Sequence, residues 1–217
     1  MFKKIREPVN GLTHLGGAIA AVFGMIALIV ISRVQPVKIV SVLVYSFSLI
    51  AMFCASAIYH IANVKPFFLQ TLRKIDHSAI FLLIAGTYTP FCLLAFTGFW
   101  HYGLLALIWA IAAIGILVKV IYINSPRWLH TGIYVAMGWL CVMAAPQMPS
   151  VLSTSAMVWL FVGGVIYTLG AVVYATKTLD FVPGKFGFHE VWHIFVLLGA
   201  LAHFIAIMAL LVLPAAA

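Results

Sequence analysis

Two histidines open the last long apolar stretch of this chain, His189 and His193, with Glu190 between them. Residues four positions apart lie on the same face of a helix, one turn from each other. Two imidazoles in that arrangement can bind one metal ion. Ionisable residues are costly at the start of a membrane helix, so their position there indicates a function. The segment therefore predicts a metal site inside a membrane protein.

Three other apolar stretches carry polar residues that we expect at the same side of the membrane. Ser56 and His60 are four positions apart near the end of the second stretch, and Asn10 and His14 have the same spacing near the start of the first. Asp76 lies at the start of the third stretch. Each spaced pair points in one direction from its helix, which favours one shared site.

Three of these histidines form a predicted ligand set: His60, His189 and His193. Three imidazoles fill three tetrahedral positions on zinc and leave the fourth for water or substrate, which is the pattern of a catalytic zinc site. All-imidazole ligation without thiolate favours zinc over copper or iron, although three imidazoles alone do not fix the metal. As the alternative for His60, we consider an interfacial histidine whose hydrogen bonds are satisfied.

The catalytic candidates are Asp76 and Ser56, each with a structural alternative. Asp76 could hold a metal-bound water and accept its proton, or cap the third helix. Ser56 could hydrogen-bond the ligands or a substrate carbonyl, or bond a carbonyl of its own helix. Glu190 matches the base of a zincin motif but points about 100° away from the histidine face, so we prefer a role at the helix dipole. His14 and Asn10 could support the ligands or only pack.

The composition requires a lipid environment for these elements. Hydrophobic residues make up 65% of the 217 residues and charged residues 7%, against about 25% charged in soluble domains. We predict a single all-α membrane domain over 1–217, a seven-transmembrane helix bundle whose runs are each near the ~20 residues that cross a bilayer. The predicted spans are about 12–32, 39–61, 77–96, 100–123, 130–147, 156–176 and 189–213.

The basic residues predict the orientation of these spans. One side of the membrane would carry Lys3, Lys4, Arg6, Lys65, Arg73, Lys74, Lys119, Arg127, Lys177 and Lys185. The other side would carry only Arg33 and Lys38. The positive-inside rule then gives a cytoplasmic N-terminus and an external C-terminus. All the candidate site residues fall at the cytoplasmic side in this arrangement.

Several other classes of protein are disfavoured. The charges sit in short loops, where they read as topology signals and contacts with anionic lipid headgroups rather than a nucleic-acid surface. Cys54, Cys92 and Cys141 lie in separate apolar runs, so we expect small buried side chains and not disulfides. The first apolar run is too long for a cleaved signal peptide.

The motifs resemble those of the hemolysin III family, the bacterial branch of the progestin and adipoQ receptor superfamily. The matching residues are Glu7-x2-Asn10-x3-His14, Ser56-x3-His60 with Asp76, His189-x3-His193, the run from Asp76 to Pro90, and Ala136-Met137-Gly138-Trp139. The resemblance implies seven helices in the bacterial inner (plasma) membrane and Zn2+ ligated by His60, His189 and His193, with Asp76 engaging it through water. The superfamily is linked to lipid amide hydrolysis, including ceramidase-like activity, and its bacterial branch to haemolysis and membrane homeostasis. The resemblance therefore implies these functions as candidates for this chain.

Three functions are open at this point. The first is a zinc-dependent intramembrane hydrolase acting on a lipid amide or ester, with membrane lipids as partners and a lipid as substrate. The second is a non-enzymatic membrane-homeostasis or sensor protein in which zinc is structural. The third is a cytolysin or pore-forming haemolysin, which the absence of a polar stripe along any span disfavours. A soluble-type zincin protease would need a soluble domain, which we do not find.

Overall fold

The computed structural model describes residues 5–33, 35–122, 126–182 and 186–212. Within these ranges the chain is helical apart from its loops and one isolated bridge between Val182 and Phe186. The helices are α1 (Pro8–Ser32), α2 (Pro36–Ile61), α3 (Pro66–Leu94), α4 (Phe99–Ile121), α5 (Arg127–Trp139), a 3-10 segment (Leu140–Ala144), α6 (Met148–Val151), α7 (Thr154–Thr176) and α8 (Phe188–Val212). The predicted all-α class is confirmed for this part of the chain.

Six of these helices, α1–α4, α7 and α8, are long and apolar enough to cross a membrane. The protein is therefore a multi-pass integral membrane protein, as predicted. Proline stands at the first turn of α1, α2 and α3, where its missing N–H costs nothing because that group has no partner within the helix. At α7 the Ser153 side chain caps the helix by accepting a hydrogen bond from the backbone N–H of Ala156 at 3.2 Å.

Most of the helices form a ring around a central space. α1 packs between α2 and α8, α2 also packs on α3, and α7 packs between α5 and α8. α5 contacts α3 and closes the ring. α4 lies outside it and packs on α3, where Gly115 lets the Phe81 ring approach closely. The space enclosed by α1, α2, α3, α5, α7 and α8 holds the polar residues that the sequence analysis identifies as candidates.

The fifth predicted span differs from the others. Residues 130–147 were predicted as one helix, but α5 has 13 residues and is followed by a 3-10 segment of 5 residues. Alone, α5 is about 20 Å long, short of the ~30 Å hydrocarbon core. The Tyr88 hydroxyl shares its one proton between the Met137 and Gly138 carbonyls, at 2.9 and 2.8 Å, and accepts from the Cys141 N–H at 2.8 Å, just where α5 passes into the 3-10 segment. These bonds satisfy the backbone groups where the α-helix ends.

α5 and the 3-10 segment together follow α3 from His77 to the end of the helix. Tyr134 donates to the His77 carbonyl at 3.0 Å in the first half of α3. Gln147 donates to the Thr97 hydroxyl at 2.6 Å just past the end of α3. The two segments therefore run in the same direction, side by side.

The start of α3 is a second difference from the sequence expectation. The apolar run was predicted to begin at 77, yet the helix begins at Pro66. Hydropathy detects the part of a helix that lies in lipid, and this helix extends beyond it. Of the basic residues that the orientation relies on, Lys3, Lys4 and Lys185 lie outside the described residues, as do positions 123 and 213 of the predicted spans.

Candidate metal centre

Three histidines meet at one end of the ring. His60 lies in the last turn of α2, and His189 and His193 lie in the first turns of α8. One ring nitrogen from each lies within 4.8 Å of the other two. The ring centroids are 4.7 Å apart for His60 and His193, 5.0 Å for the two α8 histidines and 5.1 Å for His60 and His189. The structure thus brings together the three residues predicted as metal ligands.

The donor atoms in this cluster fit a metal ion. His60 and His193 are 1% and 3% exposed, and His60 Nε2 and His193 Nδ1 have no hydrogen-bond partner among the described residues. A buried polar atom left without a partner costs about 1–3 kcal/mol. Three neutral imidazoles around one point are also a common ligand set for a divalent transition metal. We conclude that the residues present suit such an ion.

Glu7 fixes the orientation of His60. The Glu7 carboxylate accepts a hydrogen bond from His60 Nδ1, and this bond lowers the pKa of Glu7. The backbone N–H of Glu7 donates to the His60 carbonyl at 3.0 Å. With Nδ1 bound to the carboxylate, Nε2 is the atom left for the cluster. A carboxylate that holds the second nitrogen of a metal-binding histidine is a frequent arrangement.

α1 supports the α8 histidines from the other side. The His14 ring packs on His193 with centroids 3.9 Å apart, and neither His14 nitrogen has a partner among the described residues. Asn10 donates to Glu190 Oε1 at 2.9 Å, and Glu190 Oε2 accepts from the Gly187 N–H at 2.8 Å. Glu190 is therefore engaged at the start of α8, in agreement with the role that we preferred. Neither His14 nor Glu190 belongs to the three-histidine group.

Ser56 and Asp76 form a buried pair next to this group. The Ser56 hydroxyl lies close enough to the Asp76 carboxylate to interact with it, and Asp76 interacts electrostatically with His60. One structural alternative is thereby answered. Asp76 does not cap α3, because the helix begins at Pro66 and Asp76 lies inside it. Ser56 lies close to Asp76 where α2 packs on α3.

A cavity of about 520 Å³ lies inside the ring and reaches this site. Ser56, Asp76, His189 and His193 lie in its wall, and most of its other lining residues are apolar. His203 lines the cavity further along α8, where its Nε2 lies 3.2 Å from the Leu160 carbonyl, a hydrogen-bonded histidine as predicted. The volume is in the range of small-ligand pockets.

The fold and the site together define a class: a multi-pass membrane protein with a buried three-histidine cluster that could hold a metal ion. The haemolysin-III related family model matches residues 2–204. This chain belongs to that family.

Similar proteins from several organisms support this membership. The chain is 33% identical over 210 residues to the hemolysin-3 homolog of Bacillus subtilis (strain 168), covering 96% of this chain and 95% of the relative. It is 35% identical over 212 residues to hemolysin-3 of Bacillus cereus, covering 97% and 93%. A more distant similarity, 29% identical over 227 residues, links it to the adiponectin receptor protein of Drosophila melanogaster, covering 94% of this chain and 50% of the relative.

Sequence reasoning did not assign the bond between Glu7 and His60. Glu7 stands directly before Pro8, which begins α1, and His60 stands one residue before the end of α2. Two helices that pack antiparallel bring these positions together. Tyr174 was also missed; its ring lies 5.5 Å from His189. An aromatic residue near a helix end carries no comparable signal in one sequence.

We predict that Glu7→Ala weakens metal binding by about 10–100-fold, the usual effect of removing a residue that orients a ligand. The physical reason is that His60 then loses the partner that fixes its ring. The measurement is a Zn²⁺ titration of metal-stripped protein in detergent, with a competing chelator. Glu7→Gln keeps an acceptor atom, so its affinity for Zn²⁺ should lie between those of wild type and Glu7→Ala. Asp180→Ala, a carboxylate outside this cluster, is the control, and equal affinities for Glu7→Ala and wild type would contradict the role of Glu7.

Proposed function

We propose that this protein is a zinc-dependent intramembrane hydrolase of a lipid amide or ester. The observation that carries the proposal is the shared wall of the cavity, where a serine–aspartate pair lies beside the histidine cluster in apolar surroundings. An acyl chain suits such a cavity, and its polar linkage would lie at the histidines. The similarity to the adiponectin receptor protein of Drosophila melanogaster is compatible with a membrane fold that the two proteins share.

A zinc ion held by His60, His189 and His193 would supply a Lewis acid that polarises a carbonyl and lowers the pKa of water. The chain's own groups then complete the chemistry. Asp76 accepts the proton of the attacking water on a carboxylate oxygen and returns it to the leaving group. Ser56, which lies beside that carboxylate, holds it in place. The apolar walls exclude bulk water, which strengthens these electrostatic interactions.

The membrane arrangement that fits this function has seven crossings, with a cytoplasmic N-terminus and an external C-terminus. α5 and the 3-10 segment would make the short crossing, since about 20 Å and about 10 Å add up to the ~30 Å hydrocarbon core. Their parallel course beside α3 supports this assignment. The histidines then lie near the cytoplasmic leaflet of a bacterial inner membrane, at the depth of a lipid's polar linkage. Membrane lipids are the expected partners.

A structural role for the metal is the second candidate, and one observation favours it. His60 belongs to α2, whereas His189 and His193 belong to α8, so an ion would join two helices that are far apart in sequence. Such an ion would stabilise the ring in a non-enzymatic homeostasis or sensor protein. Lysis, which the names of the Bacillus relatives suggest, is the less favoured function because the cavity wall is mostly apolar rather than suited to conduct ions.

We predict that Asp76→Ala retains metal and loses hydrolysis by about 10²–10⁴-fold, since a positioned base contributes that much. Purified zinc-loaded protein in mixed micelles would be incubated with N-acyl and ester lipids, and released fatty acid measured by mass spectrometry. Asp180→Ala, in the loop before α8, should leave turnover unchanged. Hydrolysis by Asp76→Ala at the wild-type rate would contradict the mechanism, and no product from zinc-loaded wild type would favour the structural role.

We also predict the outcome of reporter fusions that test the short crossing. Alkaline phosphatase, active only outside the cytoplasm, should be active when fused after Pro146 or after Ala217 and inactive after Lys177. Green fluorescent protein at the same three positions should give the reverse pattern. An inactive phosphatase after Pro146 would show that α5 and the 3-10 segment do not cross, and would leave six spans.

A further inference from the structure

A second group of charged side chains lies where α3, α4 and α5 meet, and the proposed hydrolysis does not use it. Arg73 and His77 lie one turn apart on α3, Lys119 lies near the end of α4, and His130 lies on α5. His77 is close enough to the other three to interact with their charges. Arg73, His77 and His130 also line the cavity, at the end that carries the histidine cluster.

Lys119 is the unusual member of this group. It is 1% exposed, and its Nζ has no hydrogen-bond partner among the described residues. One turn earlier on the same helix, Gly115 packs against Phe81 and holds α4 close to α3. Burying a cation without a partner is strongly unfavourable, so a residue in this position needs either a counter-charge or a proton loss.

The chain does not supply the counter-charge. It has four carboxylates, and all four lie in the described ranges. Glu7 pairs with Arg6 and His60, Asp76 lies beside Ser56, and Glu190 pairs with Asn10 and the Gly187 N–H. The fourth, Asp180, lies in the loop before α8 beside Gly187. Among the residues that the structure describes, no carboxylate is within ion-pair distance of Arg73 or Lys119. The positive charge at this junction is therefore uncompensated by the protein.

The exposed residues around the junction of α3, α4 and α5 indicate which anion is available to these basic side chains. Phe67 on α3, Tyr122 after α4 and Trp128 on α5 are 74%, 66% and 67% exposed at this end of the bundle. Exposed aromatic residues at the ends of membrane helices mark the depth of the lipid headgroups. The abundant anions at that depth are lipid phosphates, and basic pockets between membrane helices bind the headgroups of anionic lipids.

We propose that Arg73, His77 and Lys119 bind the phosphate of an anionic phospholipid at the junction of α3, α4 and α5. The Arg73 guanidinium offers two parallel donors to phosphate oxygens, and Lys119 adds a compact point charge behind them. His77 is close enough to both to interact with their charges, and it contributes a ring donor. The site is separate from the three-histidine cluster and does not depend on hydrolysis.

The test is the thermal unfolding of the full chain in nanodiscs of phosphatidylglycerol or of phosphatidylcholine. For wild type we expect a Tm about 2–4 °C higher in phosphatidylglycerol, the size of shift that a modest binding energy gives in a chain of this length. Lys119→Met and Arg73→Gln should each lose most of this gain. Lys38→Met removes one positive charge at the start of α2, away from the junction, and should keep it.

The outcomes separate the alternatives. Lys119→Met removes a buried charge at similar volume, so its Tm in phosphatidylcholine should not fall below that of wild type; if it does, Arg73→Gln decides, because Arg73 is only half-buried. An undiminished gain in both variants would overturn the proposal and indicate that Lys119 is a neutral buried amine. An equal gain from inorganic phosphate added to phosphatidylcholine nanodiscs would assign the site to free phosphate and overturn the lipid assignment.

Discussion

Buried imidazole nitrogens of His60 and His193, which have no hydrogen-bond partner among the described residues, are the constraint on which the site depends. His60, His189 and His193 converge inside an apolar bundle, where an unpaired polar atom is costly. α1 provides much of their support: Glu7 binds His60, and Asn10 binds Glu190 at the start of α8. The first helix and the residue before it thus link the two helices that carry the three histidines. The nitrogen atoms of His60 and His193 that have no partner among the described residues lie where a metal ion could bind.

The distribution of charged side chains follows from the small number of acidic residues. A chain with only four acidic residues places three of them, Glu7, Asp76 and Glu190, around the histidines. Arg73 and Lys119, near the junction of α3, α4 and α5, consequently have no acidic partner in the part of the chain that the structure describes. One end of the bundle therefore carries two different polar sites, one suited to a cation and the other to an anion.

Much of the histidine cluster could be predicted from sequence, because spacing on a helix is a local property. The four-residue interval in α8 and the position of His60 at the end of α2 required only helical periodicity and the expected orientation. The bond of Glu7 to His60 joins two helices, and no local pattern encodes it. The break after Trp139 was also missed, since apolar residues continue through the 3-10 segment and hydropathy does not register a change of helix type. The predicted start of α3 falls too late in the sequence for a related reason, because the first turns of this helix precede the apolar run.

The central claim is that the three histidines hold one metal ion, and elemental analysis of detergent-purified protein tests it most directly. Protein prepared without chelator should contain about one zinc per chain, and His60→Ala/His193→Ala should contain almost none. His101→Ala, a histidine at the start of α4, should retain the wild-type content. The absence of stoichiometric metal from wild type, or equal metal in the double variant, would contradict the claim and leave the histidines as a polar network.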